Sequence, residues 1–111
     1  MPQNDILTHQ IDTLPILPNS LAIWGLGQMG FIIKGKDGII YIDPCLSNTI
    51  SSRAFPAPIQ PSAITHADYV LCSHEHIDHF DVHTLAPLLK ASPQAKIVTT
   101  RWCLPLIEEL N

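Results

Sequence analysis

The chain has 111 residues, of which 46% are hydrophobic and 14% charged, with a formal net charge of −4. This length allows one domain at most, and the composition is that of a core-forming globular protein, which excludes a disordered chain. The acidic balance and the scattered lysines and arginines argue against a nucleic-acid partner. The polar start and the lack of a long apolar run predict no secretory signal and no membrane span. Three widely spaced cysteines do not resemble a disulfide framework, so the cytoplasm is the expected location.

Residues 1–20 contain three prolines and no helical periodicity, and we predict an extended lead-in. A strand at 21–24 then runs into Gly25, Gly27 and Gly30, which match the G-x-G-x-x-G pattern of dinucleotide-binding sites. Such a site needs a helix directly after the glycines, because the helix N-terminus holds the pyrophosphate. Residues 31–42 instead predict a β-hairpin that turns near Asp37 and Gly38. A dinucleotide-binding module at residues 25–30 is therefore a weak alternative.

The hairpin ends at Asp43, which is followed by a proline and by a segment rich in proline and serine at 45–66. We predict that this segment is a long loop, and long loops in compact domains are often functional. Residues 67–72 predict a buried strand. The next segment, 73–81, has the sequence S-H-E-H-I-D-H-F-D and carries the densest chemistry of the chain.

Four side chains of this segment are good ligands for a divalent metal ion: His74, His76, Asp78 and His79. No regular helix or strand directs all four to one point, so we predict a loop that curls around an ion at the strand's C-terminal edge. Imidazole combined with carboxylate suits zinc, manganese or iron. Two such ions about 3.5–4 Å apart can share a hydroxide, whose parent water has its pKa lowered from ~15.7 towards ~7.

After this loop, Asp81 or Thr84 can cap a helix that runs through Ala91, with Pro87 tolerable only in the first turn. Residues 95–100 predict the next strand and 102–110 a further helix. The order strand, helix, strand predicts a right-handed crossover onto a mixed sheet.

The spacing H-x-H-x-D-H resembles the signature of the metallo-β-lactamase superfamily. The glycine strand, the hairpin that ends in I-D-P, and H-F-D-V at 79–82 look most like the L-ascorbate-6-phosphate lactonase branch. The resemblance spans residues 18–110. It implies an α/β (α+β) fold, namely the N-terminal half of a four-layer αββα sandwich with a mixed sheet and flanking helices. It also implies that the chain is a single but incomplete domain.

By this resemblance, His74 and His76 bind one metal ion, and Asp78 and His79 bind the second. The implied activity is that of a metal-dependent hydrolase that uses hydroxide bound to one or two zinc or manganese ions and opens a phosphorylated sugar lactone. Asp78 is also expected to accept a proton from the attacking water. Asp43 would stand behind the metal loop and orient it, or else simply start an Asp-Pro turn.

Two other functions stay open. One is a phosphodiester hydrolase of the same fold, and the other is an inactive metal-binding fragment or assembly subunit. Proteins of this superfamily take further ligands from later segments, so we expect a homo-oligomer or a completing segment or chain. A sheet covered on one face only would favour self-association.

Overall fold

The computed structural model describes residues 3–27, 29–47 and 56–110, with side chains from residue 6 onwards. The helices are α1 (Gln3–Thr13), α2 (Val82–Ala91) and the short α3 (Leu104–Ile107). The strands are β1 (Ala22–Gly25), β2 (Phe31–Lys34), β3 (Ile39–Ile42), β4 (Tyr69–Cys72) and β5 (Lys96–Thr99). Three 3-10 turns occupy Pro61–Ala63, Arg101–Cys103 and Glu108–Leu110.

The five strands form one sheet in the order β1-β2-β3-β4-β5. The pairs β1–β2 and β2–β3 are antiparallel, whereas β3–β4 and β4–β5 are parallel. The β2–β3 pair confirms the predicted hairpin, which closes with a hydrogen bond from the Gly35 amide to the Gly38 carbonyl. This mixed α+β architecture, with helices flanking a mixed sheet, is compatible with part of a metallo-β-lactamase-like sandwich.

The N-terminal segment corrects the sequence prediction, because α1 replaces most of the extended lead-in expected at 1–20. Pro15 and Pro18 follow the helix, where they do not interrupt its hydrogen bonds, and Pro2 lies outside the described residues. Tertiary contacts hold α1 in place. Ile11 is completely buried, and the Lys34 ammonium donates to the carbonyls of Ile11, Asp12 and Leu14 at 2.6–3.0 Å. These bonds satisfy carbonyls that the end of a helix leaves unpaired.

Helix α2 carries a second correction. Asp81 is its N-cap, as predicted, and accepts a hydrogen bond from the His83 amide at 3.1 Å. Pro87, however, lies inside the helix rather than in its first turn. Burial of Leu85 and Leu88 offsets the hydrogen bond that the proline removes. The predicted C-terminal helix is present as α3 between two 3-10 turns.

The long loop at 45–66 is described in part. Residues 48–55 lie outside the described residues, and the remainder contains only the 3-10 turn at Pro61–Ala63. Ile59 and Ile64 in this loop are completely buried, so it contributes to the core. Among the described residues, no helix has both the length and the apolar character to cross a membrane.

The side chains on the two faces of the sheet differ in burial. One face carries Ile32, Tyr41 and Val70, which are completely buried in the core with Leu85 and Leu88 of α2. On the other face, the register aligns apolar side chains across the strands in two rows, and four of them are strongly exposed. These four are Ile23 (63% exposed), Phe31 (52%), Tyr69 (42%) and Val98 (51%).

Candidate metal centre

The candidate site lies where the parallel strands end. Because β3, β4 and β5 run in the same direction, their carboxyl ends meet at one edge of the sheet. Asp43 directly follows β3, the histidine segment follows β4, and Thr100 and Arg101 follow β5. The topology therefore brings residues that are distant in sequence to a single edge.

Asp43 joins the end of β3 to the histidine loop. Its carboxylate is nearly buried and accepts hydrogen bonds from the Ser73 amide and the Ser73 hydroxyl, both at 2.7 Å. The carboxylate also lies 2.9 Å from Nδ1 of His79. Burial alone would raise the pKa of Asp43, but the hydrogen bonds from His79 and Ser73 outweigh it and hold the pKa below its usual value. Asp43 is therefore an ionised anchor for the loop.

The position of Gly30 explains why the chain needs a glycine at the end of the 25–30 segment. It has a φ of +94°, and a Cβ at this position would lie 2.5 Å from the Asp43 carbonyl oxygen and 2.7 Å from that of Ile42. Only glycine lets the backbone pass so close to the start of the site. A strand follows at residue 31, where a dinucleotide site needs a helix, so the weak dinucleotide alternative lacks its structural requirement.

Three of the four predicted ligands lie together as a packed group of imidazole rings. The ring centroids of His74 and His79 are 3.9 Å apart, and those of His74 and His76 are 4.6 Å apart. Asp78 joins this group, with its Oδ2 atom 3.7 Å from Nε2 of His79. The loop closes through hydrogen bonds from the amides of His79 and Phe80 to the His76 carbonyl, and the buried Phe80 ring anchors it.

The hydrogen bond to Asp43 selects one tautomer of His79. An ionised carboxylate can only accept, so Nδ1 of His79 carries a proton, and in the neutral imidazole Nε2 is the nitrogen with the lone pair. A carboxylate behind a histidine in this way is the usual support of a metal-binding imidazole. Asp43 therefore contacts the histidine loop, and its role in supporting a metal ligand stays a prediction.

The donor types fit a divalent metal ion, because three imidazoles and a carboxylate are borderline ligands of the kind that zinc accepts. The expected convergence of these ligands on a common point is absent. Within the described ranges, no group of three or more His, Cys, Asp or Glu side chains is arranged to hold an ion. The residues fit a metal by chemistry and by their support, and their roles as ligands stay a prediction.

Sequence reasoning missed two contributors. Ser73 bridges the site, because its hydroxyl contacts Asp43 and also lies 2.9 Å from Nδ1 of His74. Asp81 does more than cap α2: its Oδ2 accepts from the hydroxyls of Ser47 at 2.5 Å and Thr84 at 2.7 Å. Asp81 thus ties the segment after β3 to the helix after the histidine loop. The signal for Ser73 was its position between a buried strand and the first histidine.

Comparisons with known proteins show which family and which proteins the chain is similar to. Residues 39–110, more than half of the chain, match the model of a family described as a beta-lactamase superfamily domain. A protein of Mycobacterium tuberculosis (strain H37Rv) that is named a Rieske 2Fe-2S iron-sulfur protein is 32% identical over 69 residues. That match covers 59% of this chain and 13% of the relative. A protein of the same name from Mycolicibacterium smegmatis is 32% identical over 65 residues, which cover 55% of this chain and 12% of the relative. The chain therefore spans only a small part of these curated relatives.

Proposed function

The chain belongs to the beta-lactamase superfamily, in its metallo-β-lactamase-fold sense, and we propose that it forms the metal-binding part of a hydrolase that opens a phosphorylated sugar lactone. Membership of this superfamily suggests hydrolase chemistry in general. The lactone substrate is proposed because the glycine strand, the hairpin and the histidine loop resemble those of the L-ascorbate-6-phosphate lactonase branch. The observation that carries the proposal is the 2.9 Å contact between Asp43 and Nδ1 of His79. This contact leaves Nε2 as the nitrogen of His79 that can bind a metal ion.

The proposed ligands are His74 and His76 for one ion, and Asp78 and His79 for a second. Zinc or manganese suits this set. When bound, the metal supplies a water of lowered pKa and polarises the carbonyl that is attacked. All four side chains are at least partly exposed at the strand edge, so an ion and a small substrate can reach them.

Asp78 is the best candidate to accept the proton of the attacking water. Its side chain is 34% exposed and is held beside His79. Asp43 is the other carboxylate of the site, but its oxygens already accept from Ser73 and His79. We therefore propose that Asp43 orients the loop and that Asp78 accepts the proton.

A metal-binding subunit without activity of its own is the second candidate. The ligand count favours it, because four side chains shared between two ions give each ion fewer than the three protein ligands of a catalytic zinc site. Partners under this candidate are a second copy of the chain or a completing segment.

The iron-sulfur cluster in the names of the mycobacterial relatives belongs to those proteins. We do not propose such a cluster here, because the thiols of Cys45, Cys72 and Cys103 are at most 3% exposed. Buried thiols of this kind are typical of a reducing compartment, and the cytoplasm is the proposed location.

The test combines metal content with hydrolysis. The purified chain would be stripped of metal, reloaded with zinc or manganese and assayed on gluconolactone, on its 6-phosphate and on a nitrophenyl phosphodiester. Metal-dependent opening of the phosphorylated lactone supports the proposal. Cleavage of the phosphodiester alone would move the function to the phosphodiesterase alternative, and metal binding without hydrolysis to the inactive subunit.

A further inference from the structure

We propose that Arg101, stacked on Trp102, binds the anionic group of the substrate beside the metal loop. The inference deepens the proposed function and rests on it for the reaction, although its test below does not need hydrolysis. It starts from the sheet register. Strands β4 and β5 pair in parallel as far as Cys72 opposite Thr99, and the Thr99 hydroxyl donates to the Cys72 carbonyl at 2.8 Å.

Arg101 and His74 each follow that last pair by two residues on neighbouring strands. Paired strands lie about 4.8 Å apart, so the two chain segments leave the same edge of the sheet from neighbouring strands. The turn that carries Arg101 is fixed, since the Cys103 amide donates to the Thr100 carbonyl at 3.0 Å and Cys103 is completely buried. The backbone of Arg101 is thus fixed at the sheet edge from which the histidine loop also starts.

The distribution of cations singles out Arg101. Lys36 lies in the hairpin turn and Lys96 begins β5, both at the opposite edge of the sheet, and Lys90 lies in the last turn of α2. Lys34 donates to the carbonyls at the end of α1. Arg53 lies outside the described residues. Within the described ranges, Arg101 is therefore the cation at the edge that carries the candidate metal centre.

The guanidinium of Arg101 is available to a ligand. It makes no ion pair with any carboxylate among the described residues, and both Arg101 and Trp102 are exposed. Its Cζ atom lies 4.9 Å from the Trp102 ring centroid, a stacking contact that limits the motion of the guanidinium. This contact leaves N–H groups of the guanidinium available to bind a phosphate with two parallel hydrogen bonds.

An anionic substrate needs such a group. The loop itself presents Glu75 and Asp78, whose charges repel an anion unless a cation balances them. Arg101 supplies this balance and discriminates a phosphorylated sugar from the same sugar without the phosphate.

The test is a binding comparison on the full chain, with and without added zinc. The ligands are the two hydrolysis products, 6-phosphogluconate and gluconate, measured by calorimetry against wild type, Arg101→Gln and Lys96→Gln. Lys96 is the matched control, because it is an exposed cation at the start of the strand that Arg101 follows, at the far edge of the sheet. We expect Arg101→Gln to weaken 6-phosphogluconate binding about tenfold or more, since charge-assisted hydrogen bonds are lost. Arg101→Gln should leave the affinity for gluconate unchanged. Lys96→Gln should bind both products with the affinity of the wild type.

The proposal is overturned if wild type binds both products equally, if Arg101→Gln binds 6-phosphogluconate like wild type, or if Lys96→Gln loses as much. Failure of the proposed function is a separate result. In that case the wild type opens neither lactone, while the binding comparison still decides the role of Arg101. Circular dichroism of both variants checks that this exposed substitution leaves the fold intact.

Discussion

The carboxylate of Asp43 lies 2.9 Å from Nδ1 of His79, a residue 36 positions later in the chain. The contact joins the end of β3 to the loop after β4, and Ser73 reinforces it with two further hydrogen bonds. Asp43 has a φ of 46°, an uncommon conformation for a residue other than glycine. A strained backbone at a site that orients a histidine is typical of functional positions.

The first prediction concerns Asp43→Asn. The amide can donate to Nδ1, which would move the proton of His79 to Nε2 and remove the lone pair that binds metal. We expect zinc affinity to fall about 10–100-fold, as for other carboxylates that are hydrogen-bonded to a metal-binding histidine. Competition with a chromophoric chelator measures this. The control is Asp12→Asn, because Asp12 contacts His66 Nδ1 at 2.8 Å in a similar pair outside the candidate site. Equal losses in the two variants would contradict the role of Asp43.

The local features of this chain could be predicted from sequence, and the long-range ones could not. The hairpin follows from two β-rich runs around Asp37 and Gly38, and the cap of α2 from Asp81, since each depends on neighbours in sequence. Helix α1 was missed because Lys34, twenty or more residues later, satisfies its final carbonyls. Its own segment shows little periodicity.

In the candidate site, too, the local features could be predicted from sequence and the long-range contacts could not. The histidine spacing indicated which side chains gather, and the rings of His74, His76 and His79 do lie together. Their side-chain torsions could not be predicted, because the sequence of a short loop does not determine which rotamers its side chains adopt. Ser73 escaped attention for another reason: its role depends on Asp43, which is 30 residues away.

Gly30→Ala should destabilise the fold markedly. The new Cβ would lie 2.5 Å from a backbone oxygen, and the positive φ disfavours any L side chain. We expect a loss of at least about 2 kcal/mol in the free energy of unfolding, measured by urea denaturation.

The control for Gly30 is Gly25→Ala. No atom lies within 4 Å of a Cβ built at Gly25, so its effect should be small. If the two variants were equally destabilised, the close approach of Gly30 to Asp43 would not be the reason for a glycine at this position.

His74→Ala and His79→Ala should each remove most metal-dependent hydrolysis with little change in thermal stability. Each variant leaves an ion with one ligand fewer, which weakens its binding and raises the pKa of its water. Elemental analysis after dialysis gives the metal content, and the lactone assay gives the activity. His83→Ala is the matched control, because His83 is exposed on α2 close to the loop but is not a proposed ligand. Unchanged metal content in His74→Ala and His79→Ala would rule out the proposed ligand set.

The buried pair of His66 and Tyr41 predicts a pH dependence of stability. His66 Nε2 lies 2.6 Å from the Tyr41 hydroxyl, and burial raises the pKa of Tyr41 far above its usual value, so the hydroxyl remains a donor. Burial lowers the pKa of His66, and this outweighs the opposing attraction of Asp12. Lys34 also lowers the pKa, while Asp68 raises it. His66 is therefore neutral in the folded chain.

Because the pKa of His66 is lower in the folded state, the unfolded chain binds more protons in the acidic range. Stability is therefore complete above the ordinary histidine pKa of about 6.5 and falls as the pH drops below it. His66→Gln should flatten this fall, as measured by urea denaturation between pH 5 and pH 7.5 (roughly the range in which histidine titrates). An unchanged slope in the variant would show that other groups, not His66, govern the dependence.

The uncovered face of the sheet predicts self-association. Ile23 and Phe31 lie in the two apolar rows of that face and are 63% and 52% exposed. An apolar surface that crosses all five strands favours burial, and a second copy offers the same surface in return. We expect a concentration-dependent dimer in sedimentation velocity, and a monomer for Phe31→Glu. Ile6→Glu is the control, since Ile6 is 65% exposed but lies on α1, away from the sheet. A wild-type chain that stays monomeric at high concentration would show that the face is not an interface between copies.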